Sequence, residues 1–274
     1  MSNHIIFKNK IKKFTKKITV SGDKSISIRW VLFASIASGV SKSFNLLMSE
    51  DVLAAIDAIR KLGIRVEINK DYCKVYGKGI DGYKIKKNLV IDAKNSGTLG
   101  RLLLGLLVNN PKKIKLIGDK SLSKRDFKRV TDPLEKFGAN FKLNKNKGLP
   151  LTILGSKNLR PINYLENKGS AQCKSSVILA AFRAPGTTFI KAKKSRNHTE
   201  VLCKYLKLPI KITNKKNYDF IEVKKVKKIK PLDYKIPSDI SSSAFFLVLA
   251  SLSRNSKLII SNVNVNPSRI GIIT

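Results

Sequence analysis

Histidine and cysteine are almost absent from this chain, and each scarcity removes a class of chemistry. Two histidines, His4 and His198, cannot build a histidine-rich metal site, and they leave a Ser-His-Asp triad few bases to work with. No metal and no cofactor is expected. The three cysteines, Cys73, Cys173 and Cys203, are odd in number and lie 100 and 30 residues apart, which suits neither a disulfide framework nor a zinc knuckle and points to a reduced compartment. No apolar run approaches the ~20 residues that cross a bilayer. The opening "MSNHIIFKNKIKKF" has neither the apolar segment nor the small-residue cleavage site of a signal peptide. A cytoplasmic protein that does not engage membranes is expected. Acidic residues are scarce too: 18 against 55 Lys and Arg, a net charge of +37, which ordinarily suggests a polyanionic partner. Most of these cations are lysines spread along the whole chain among abundant Ile and Asn, as an AT-rich coding bias produces. No basic motif interleaved with aromatics accompanies them, so a solvated surface is expected rather than a nucleic-acid footprint.

What is present is a core and a repeat. With 274 residues, 42% of them hydrophobic, the chain can fill one or two domains. Four extended segments run into small polar residues and then an apolar helix: "ITVSGDKSIS", "LVIDAKNSGT", "YLENKGSAQC" and "YKIPSDISSS". Their reference serines, Ser25, Ser96, Ser170 and Ser241, stand 71, 74 and 71 residues apart. A second set of polar helix starts lies between them, in "FNLLMSEDV", "IKLIGDKSLSKRD" and "TTFIKAKKSRNHTE", each followed by an amphipathic helix and an alternating strand pair. One unit therefore reads βαβαββ. Gly39, Gly63 and Gly138 fall where helix C-caps are expected, and Pro111 and Pro185 bar two helices from continuing. The predicted architecture is α/β, with a complete three-unit domain over residues 18–236. Residues 1–17 and 237–274 form a partial second domain, made of an N-terminal strand and a first half-unit whose apolar face is left uncovered.

The polar starts read as a site. If three related units pack around one axis, their first helices run side by side and their N-terminal turns gather at one end, each offering unpaired N–H groups and partial positive charge. Ser25, Ser96 and Ser170 are N-cap residues by type. Lys24, Arg29, Arg101 and Lys174 add cations to that end, which suits a multiply anionic ligand. "GDKS" is not a phosphate-binding P-loop, because the glycine required five residues earlier is replaced by Lys17.

Six motifs, "SGDKSISIR", "NSGTLGRLLLGLL", "GDKSLSKRDFKRVTDPL", "GSAQCKSSVILAA", "SRNHTE" and "PSDISSSAFFLVLA", resemble in order and spacing the 5-enolpyruvylshikimate-3-phosphate synthases, over the whole chain. "GSAQ" with "SRNHTE" resembles the bacterial subgroup that carries Ala between the phosphate-binding Ser and the Gln. The resemblance implies the enolpyruvyl transferase fold, with three βαβαββ units per domain and the second domain incomplete here. It implies transfer of the enolpyruvyl group of phosphoenolpyruvate to the 5-hydroxyl of shikimate 3-phosphate, releasing phosphate. These two small molecules are the implied partners, and the full-length form is expected to be a monomer.

Residue by residue, the resemblance makes Lys24 a phosphoenolpyruvate contact that takes part in proton transfer, and Ser25 and Arg29 shikimate ligands. Asn95, Ser96 and Gly97 fall in the phosphoenolpyruvate loop, where the herbicide glyphosate also binds, and Arg125 matches the arginine paired with the phosphate. Ser170, Ala171 and Gln172 match the shikimate 3-phosphate loop, Gln172 reaching both substrates, while Ser195 and Arg196 match ligands of the 3-phosphate. Guanidinium forks suit bidentate phosphate binding. The family's longer chain carries an aspartate, a glutamate, further arginines and a lysine for the reaction, so these 274 residues alone are expected to be inactive.

Two other readings compete. A UDP-N-acetylglucosamine enolpyruvyl transferase shares the fold, but begins the corresponding helix with Lys-Asn and lacks the "GSAQ" and "SRNHTE" pattern. A nucleic-acid binder of related fold, such as an RNA 3′-phosphate cyclase, would draw on the charge of +37 but needs a histidine near the C-terminus, and none follows His198.

Overall fold

The structure, a computed structural model, describes residues 11–273; His4 and the rest of the first ten positions of the expected partial domain lie outside them. Strand β1 (Thr15–Ile18) leads into α1 (Lys24–Ser35), β2 (Ser38–Phe44), α2 (Glu50–Lys61), β3 (Arg65–Ile68) and β4 (Tyr72–Lys78). Next come β5 (Leu89–Asp92), α3 (Gly97–Leu107), β6 (Lys113–Ile117), the short α4 (Lys120–Ser123), α5 (Lys128–Lys136), β7 (Asn140–Lys142) and β8 (Leu151–Leu154). Then follow β9 (Asn163–Glu166), α6 (Ala171–Ala181), β10 (Thr187–Lys193), α7 (His198–Tyr205), β11 (Ile210–Asn214) and β12 (Tyr218–Lys224). Strand β13 (Tyr234–Lys235), α8 (Ile240–Ser251) and β14 (Lys257–Ile260) end the series.

Among the described residues, twelve of the fourteen strands form three four-stranded sheets of identical order: β13-β2-β4-β3, β5-β6-β8-β7 and β9-β10-β12-β11. In each, the first pair is parallel and the other two are antiparallel. The strands alternate inward and outward residues, as β10 does with Ile190 and Ala192 buried between the exposed Phe189, Lys191 and Lys193. Helices α1, α3 and α6 are apolar nearly all round because they are buried nearly all round: from Ser27 to Ser35 every residue of α1 is inside. Helix α3 packs on α1 and α6, and one continuous core runs from Ile28 to Ile236. Gly63 and Gly138 sit just past the ends of α2 and α5 at φ +85° and +113°, the left-handed conformation in which glycine costs least. Gly39 is no C-cap; it lies inside β2, opposite Gly77.

The strand ahead of α1 lies outside the three four-stranded sheets. The segment ahead of α1 does not complete the first sheet: β1 pairs in parallel with β14, from Thr15 opposite Lys257 to Ile18 opposite Ile260. The strand that runs parallel to β2 is β13, with Tyr234 opposite Ser43 and Lys235 opposite Phe44. The two segments cross side by side and exchange hydrogen bonds: Asp23 N–H donates to Pro237 O at 2.8 Å, and Asp239 N–H donates to Ser21 O at 2.9 Å. Gly22 lets this segment also lie against the end of β2, since a Cβ there would stand 2.0 Å from the Asn45 carbonyl oxygen. Helix α8 emerges from the crossing with only Ile240 and Ser243 buried, leaving Phe245 79% and Leu252 81% exposed. Among the described residues no helix is long and apolar enough to cross a membrane.

Candidate active site

Helix starts bring the polar residues into position. At α3, the Ser96 hydroxyl accepts from Leu99 N–H at 3.3 Å, and at α6 the Ser170 hydroxyl accepts from Cys173 N–H at 3.3 Å. In α1 the cap is Asp23 rather than Ser25: the fully buried carboxylate accepts from Ile26 N–H at 3.0 Å. A carboxylate satisfies the free N–H groups and also complements the positive end of the helix. Ser25 is the second residue of the helix, its carbonyl accepting from Arg29 Nη1 at 2.9 Å.

Around the start of α3, two guanidinium groups close over Gly97. A Cβ on Gly97 would stand 3.0 Å from Nη1 of Arg101 and 3.0 Å from Nη1 of Arg125. Arg125 donates from Nη2 to Asn95 Oδ1 at 3.3 Å, and Arg101 donates from Nη1 to Gln172 Oε1 at 2.6 Å. Burial lowers the Arg101 pKa, and the nearby Arg129 and Arg125 push the same way, a concentration of positive charge that favours an anion. Gln172 in turn donates from Nε2 to Thr98 Oγ1 at 3.0 Å, which ties the start of α6 to the start of α3.

Beside α6 opens a polar cavity of about 900 Å³, walled by Ser170, Ala171 and Gln172 at the start of α6 and by Ser195 and Arg196 from the loop before α7. The Ser195 Oγ is buried without a hydrogen-bond partner among the described residues. Lys194 and Asp219, which the sequence reading missed, share this wall, with Lys194 Nζ 2.6 Å from Asp219 Oδ1. Asp219 carried a signal: it takes an inward position on β12, where the alternation calls for an apolar side chain.

The remaining predicted cations are placed differently. Lys24 Nζ lies 3.3 Å from Asp51 Oδ2 on α2, a partner not foreseen, with side chains 51% and 25% exposed, so solvent screens the pair and it adds little stability. Lys174 does not face a ligand: it is wholly buried, its Nζ 2.6 Å from Glu200 Oε1 on α7. The helix face that follows its polar start already points into the core, which is why a cation there needs a buried carboxylate. Arg29 is 3% exposed and spends its donors on Ser25 O, Thr199 Oγ1 and Ser175 Oγ. Burial lowers the Arg29 pKa to about 10, against the opposing pull of Glu200 and Asp23. It faces, with His198, a second and mostly apolar cavity of about 420 Å³ between α7 and residues 263–267. Burial, followed by Arg29, Arg269 and Arg196, holds the His198 pKa at about 3, so its ring is neutral.

Two groupings therefore stand next to each other: Asn95, Gly97, Arg101 and Arg125, and the cavity of Ser170, Ala171, Gln172, Ser195 and Arg196, with Gln172 common to both. Fold and arrangement define an α/β protein of like-ordered four-stranded sheets, whose central helices gather arginine, serine and glutamine at their N-terminal ends. Within that class the chain belongs to the EPSP synthase family. The family model described as EPSP synthase (3-phosphoshikimate 1-carboxyvinyltransferase) matches residues 8–274. A 3-phosphoshikimate 1-carboxyvinyltransferase of Caldicellulosiruptor saccharolyticus is 42% identical over 265 residues, 96% of this chain and 60% of that protein. One from Leuconostoc mesenteroides is 41% identical over 258 residues, 94% of this chain and 58% of its own. A solved EPSP synthase of Acinetobacter baumannii superposes with a TM-score of 0.88 at 34% identity, covering 96% of this chain and 58% of that one. The chain thus spans about 60% of the length of the curated relatives it matches.

Proposed function

We propose that this chain carries the shikimate 3-phosphate site and part of the phosphoenolpyruvate site of an enzyme that transfers the enolpyruvyl group to the shikimate 5-hydroxyl. The observation that carries this reading is Gln172, which walls the polar cavity and at the same time bonds Arg101 beside Gly97. Two anionic substrates bound on either side of Gln172 would meet there. On this reading Ser170, Ala171, Ser195 and Arg196 hold the 3-phosphate, Asn95, Ser96, Gly97 and Arg125 hold phosphoenolpyruvate, and Ser25 and Arg29 face the shikimate ring. In the reaction the 5-hydroxyl oxygen adds to the central carbon of phosphoenolpyruvate, losing its proton, while the methylene gains one. The new methyl group then gives up a proton as the carbon–oxygen bond to phosphate breaks, and phosphate leaves.

Lys24 is the proposed site residue suited to moving a proton, with its half-exposed side chain beside Asp51. One lysine cannot serve both the hydroxyl and the methylene, so the chain by itself is expected to bind but not to turn over. We also propose that residues 18–236 form one domain and that residues 1–17 and 237–274 belong to a second; the continuous core and the pairing of β1 with β14 support that division.

The test is titration calorimetry with shikimate 3-phosphate on the wild-type chain and Arg196→Ala. Arg196 is exposed on the cavity wall, and losing a charge-assisted hydrogen bond costs ~1.5–3 kcal/mol, an affinity loss of about tenfold or more. Equal affinities would remove Arg196 from the site.

A further inference from the structure

The motifs at α6 and α7 run on past the residues assigned to ligands, as "CKS" and "HTE", and the structure gives those residues one shared place. Ser175 Oγ and Thr199 Oγ1 lie 2.7 Å apart, joining α6 to α7, and Arg29 of α1 closes the group by donating from Nε to Thr199 Oγ1 at 2.8 Å and from Nη2 to Ser175 Oγ at 3.3 Å. Next to them Lys174 Nζ and Glu200 Oε1 lie 2.6 Å apart. Every member is buried: Thr199 and Lys174 are 0% exposed, Ser175 is 1%, and Arg29 and Glu200 are 3%. The group sits within about one turn of the start of α6, Ser170–Gln172, and of the loop Ser195–Arg196, which both wall the polar cavity.

We propose that Thr199 is a positioning residue, the centre of a buried latch of Arg29, Ser175, Lys174 and Glu200 that sets the spacing between the loop before α6 and the loop before α7. This rests on the reading of the cavity as the shikimate 3-phosphate site. A phosphate gripped from two loops needs both at fixed separation: the pairing of β9 with β10, Glu166 opposite Ala192, holds the ends that enter the loops, and the ends that leave them into α6 and α7 need a tie of their own. The crosslink one turn behind supplies that second tie. Thr199 is central because its single hydroxyl accepts from Arg29 while sharing a hydrogen with Ser175, and a buried, charged donor left without an acceptor has no water to turn to.

Substitutions at Thr199 separate this role from packing. Thr199→Val keeps the volume and removes the acceptor, whereas Thr199→Ser keeps the acceptor and removes a methyl group. Titration with shikimate 3-phosphate should show about a tenfold loss of affinity for Val, the scale of one hydrogen bond to a charged group, and little loss for Ser. In nitrogen-15 spectra, the Arg29 Nε–H signal should stay sharp and protected in wild type and Ser and broaden or vanish in Val. Should Val fail to fold, Ser175→Ala breaks the same crosslink from the other side; it should lower affinity several-fold while leaving the Arg29 Nε–H signal protected, because Thr199 still accepts it. Equal losses for Val and Ser, an unchanged affinity and Arg29 signal in Val, or full affinity in Ser175→Ala would overturn the latch. A wild-type chain that binds no shikimate 3-phosphate would overturn the reading of the cavity, and the Arg29 signal in Val and Ser would then decide the latch alone.

Discussion

Gly105 is where α3 and α6 come closest, and replacing it with alanine sets two effects against each other. A Cβ there would stand 2.2 Å from the Ser176 carbonyl oxygen and 2.9 Å from its carbonyl carbon. Carbon meets a carbonyl oxygen at about 3.3 Å even in close helix contacts, so the helices must move apart by about 1 Å. Alanine gains about 1 kcal/mol over glycine in a helix interior, while overpacking costs ~1–3 kcal/mol and sometimes more. The obstacle is backbone, which cannot rotate away, so the clash falls at the upper end and Gly105→Ala should lose about 2 kcal/mol net. For a chain of this size that is about 4–8 °C in melting temperature. The same separation pulls Gln172 from Arg101 and Thr98, bonded now at 2.6 and 3.0 Å, so affinity for shikimate 3-phosphate should fall as well. Gly100→Ala is the control on the same helix: its Cβ meets the Phe127 ring edge at 3.3 Å, which a small ring shift relieves, and stability should barely change. Scanning calorimetry and ligand titration on both variants decide the matter. A melting temperature for Gly105→Ala equal to or above wild type would mean that propensity wins, and the close α3–α6 packing would be refuted.

Lys174→Met leaves Glu200 buried without its cation and should cost ~3–5 kcal/mol in urea unfolding, whereas Lys174→Met with Glu200→Leu should recover most of that; a double variant as weak as the single one refutes the pairing. His198 has a folded pKa of about 3 against 6.5 for the free side chain, so the unfolded chain takes up the proton first as pH falls. This group makes no difference above pH 6.5, and below it stability should drop by about 1.4 kcal/mol per pH unit towards pH 3. Urea midpoints at pH 7 and pH 5 should differ less in His198→Leu than in wild type, and parallel shifts would count against a neutral buried ring. Gly97→Ala presses a methyl group between Arg101 and Arg125, each 3.0 Å away, and should weaken glyphosate more than the shorter phosphoenolpyruvate. That ratio is measured by inhibition kinetics with the chain joined to the remainder of a family member, and an unchanged ratio moves Gly97 away from the ligand.

Much of this protein is determined by residues close together in sequence. Alternation in β10 or β12 and the unbroken apolar faces of α1, α3 and α6 mark strands and central helices. Ser96 and Ser170 mark two helix starts, and Gly63 and Gly138 mark two ends, because capping and chain reversal depend on a handful of neighbouring backbone groups. The placing of Asn95, Gly97, Arg125 and Gln172 among candidate ligands came from resemblance, since nothing local distinguishes them from turn and surface residues. Only the tertiary structure decided which sheet each first strand joins. Strands β1 and β13 offer the same kind of edge, and the choice between β14 and β2 rests on hydrogen bonds between segments about 190 to 240 residues apart. It also decided the partners of the buried charges. Lys174 looked like a ligand-facing cation until Glu200 met it from another helix, and Arg29 gained Thr199 and Ser175 from elements 170 and 146 residues away. Burying a charge is costly unless a partner arrives, and the identity of that partner is a property of packing between distant elements, which no periodicity within a single element records.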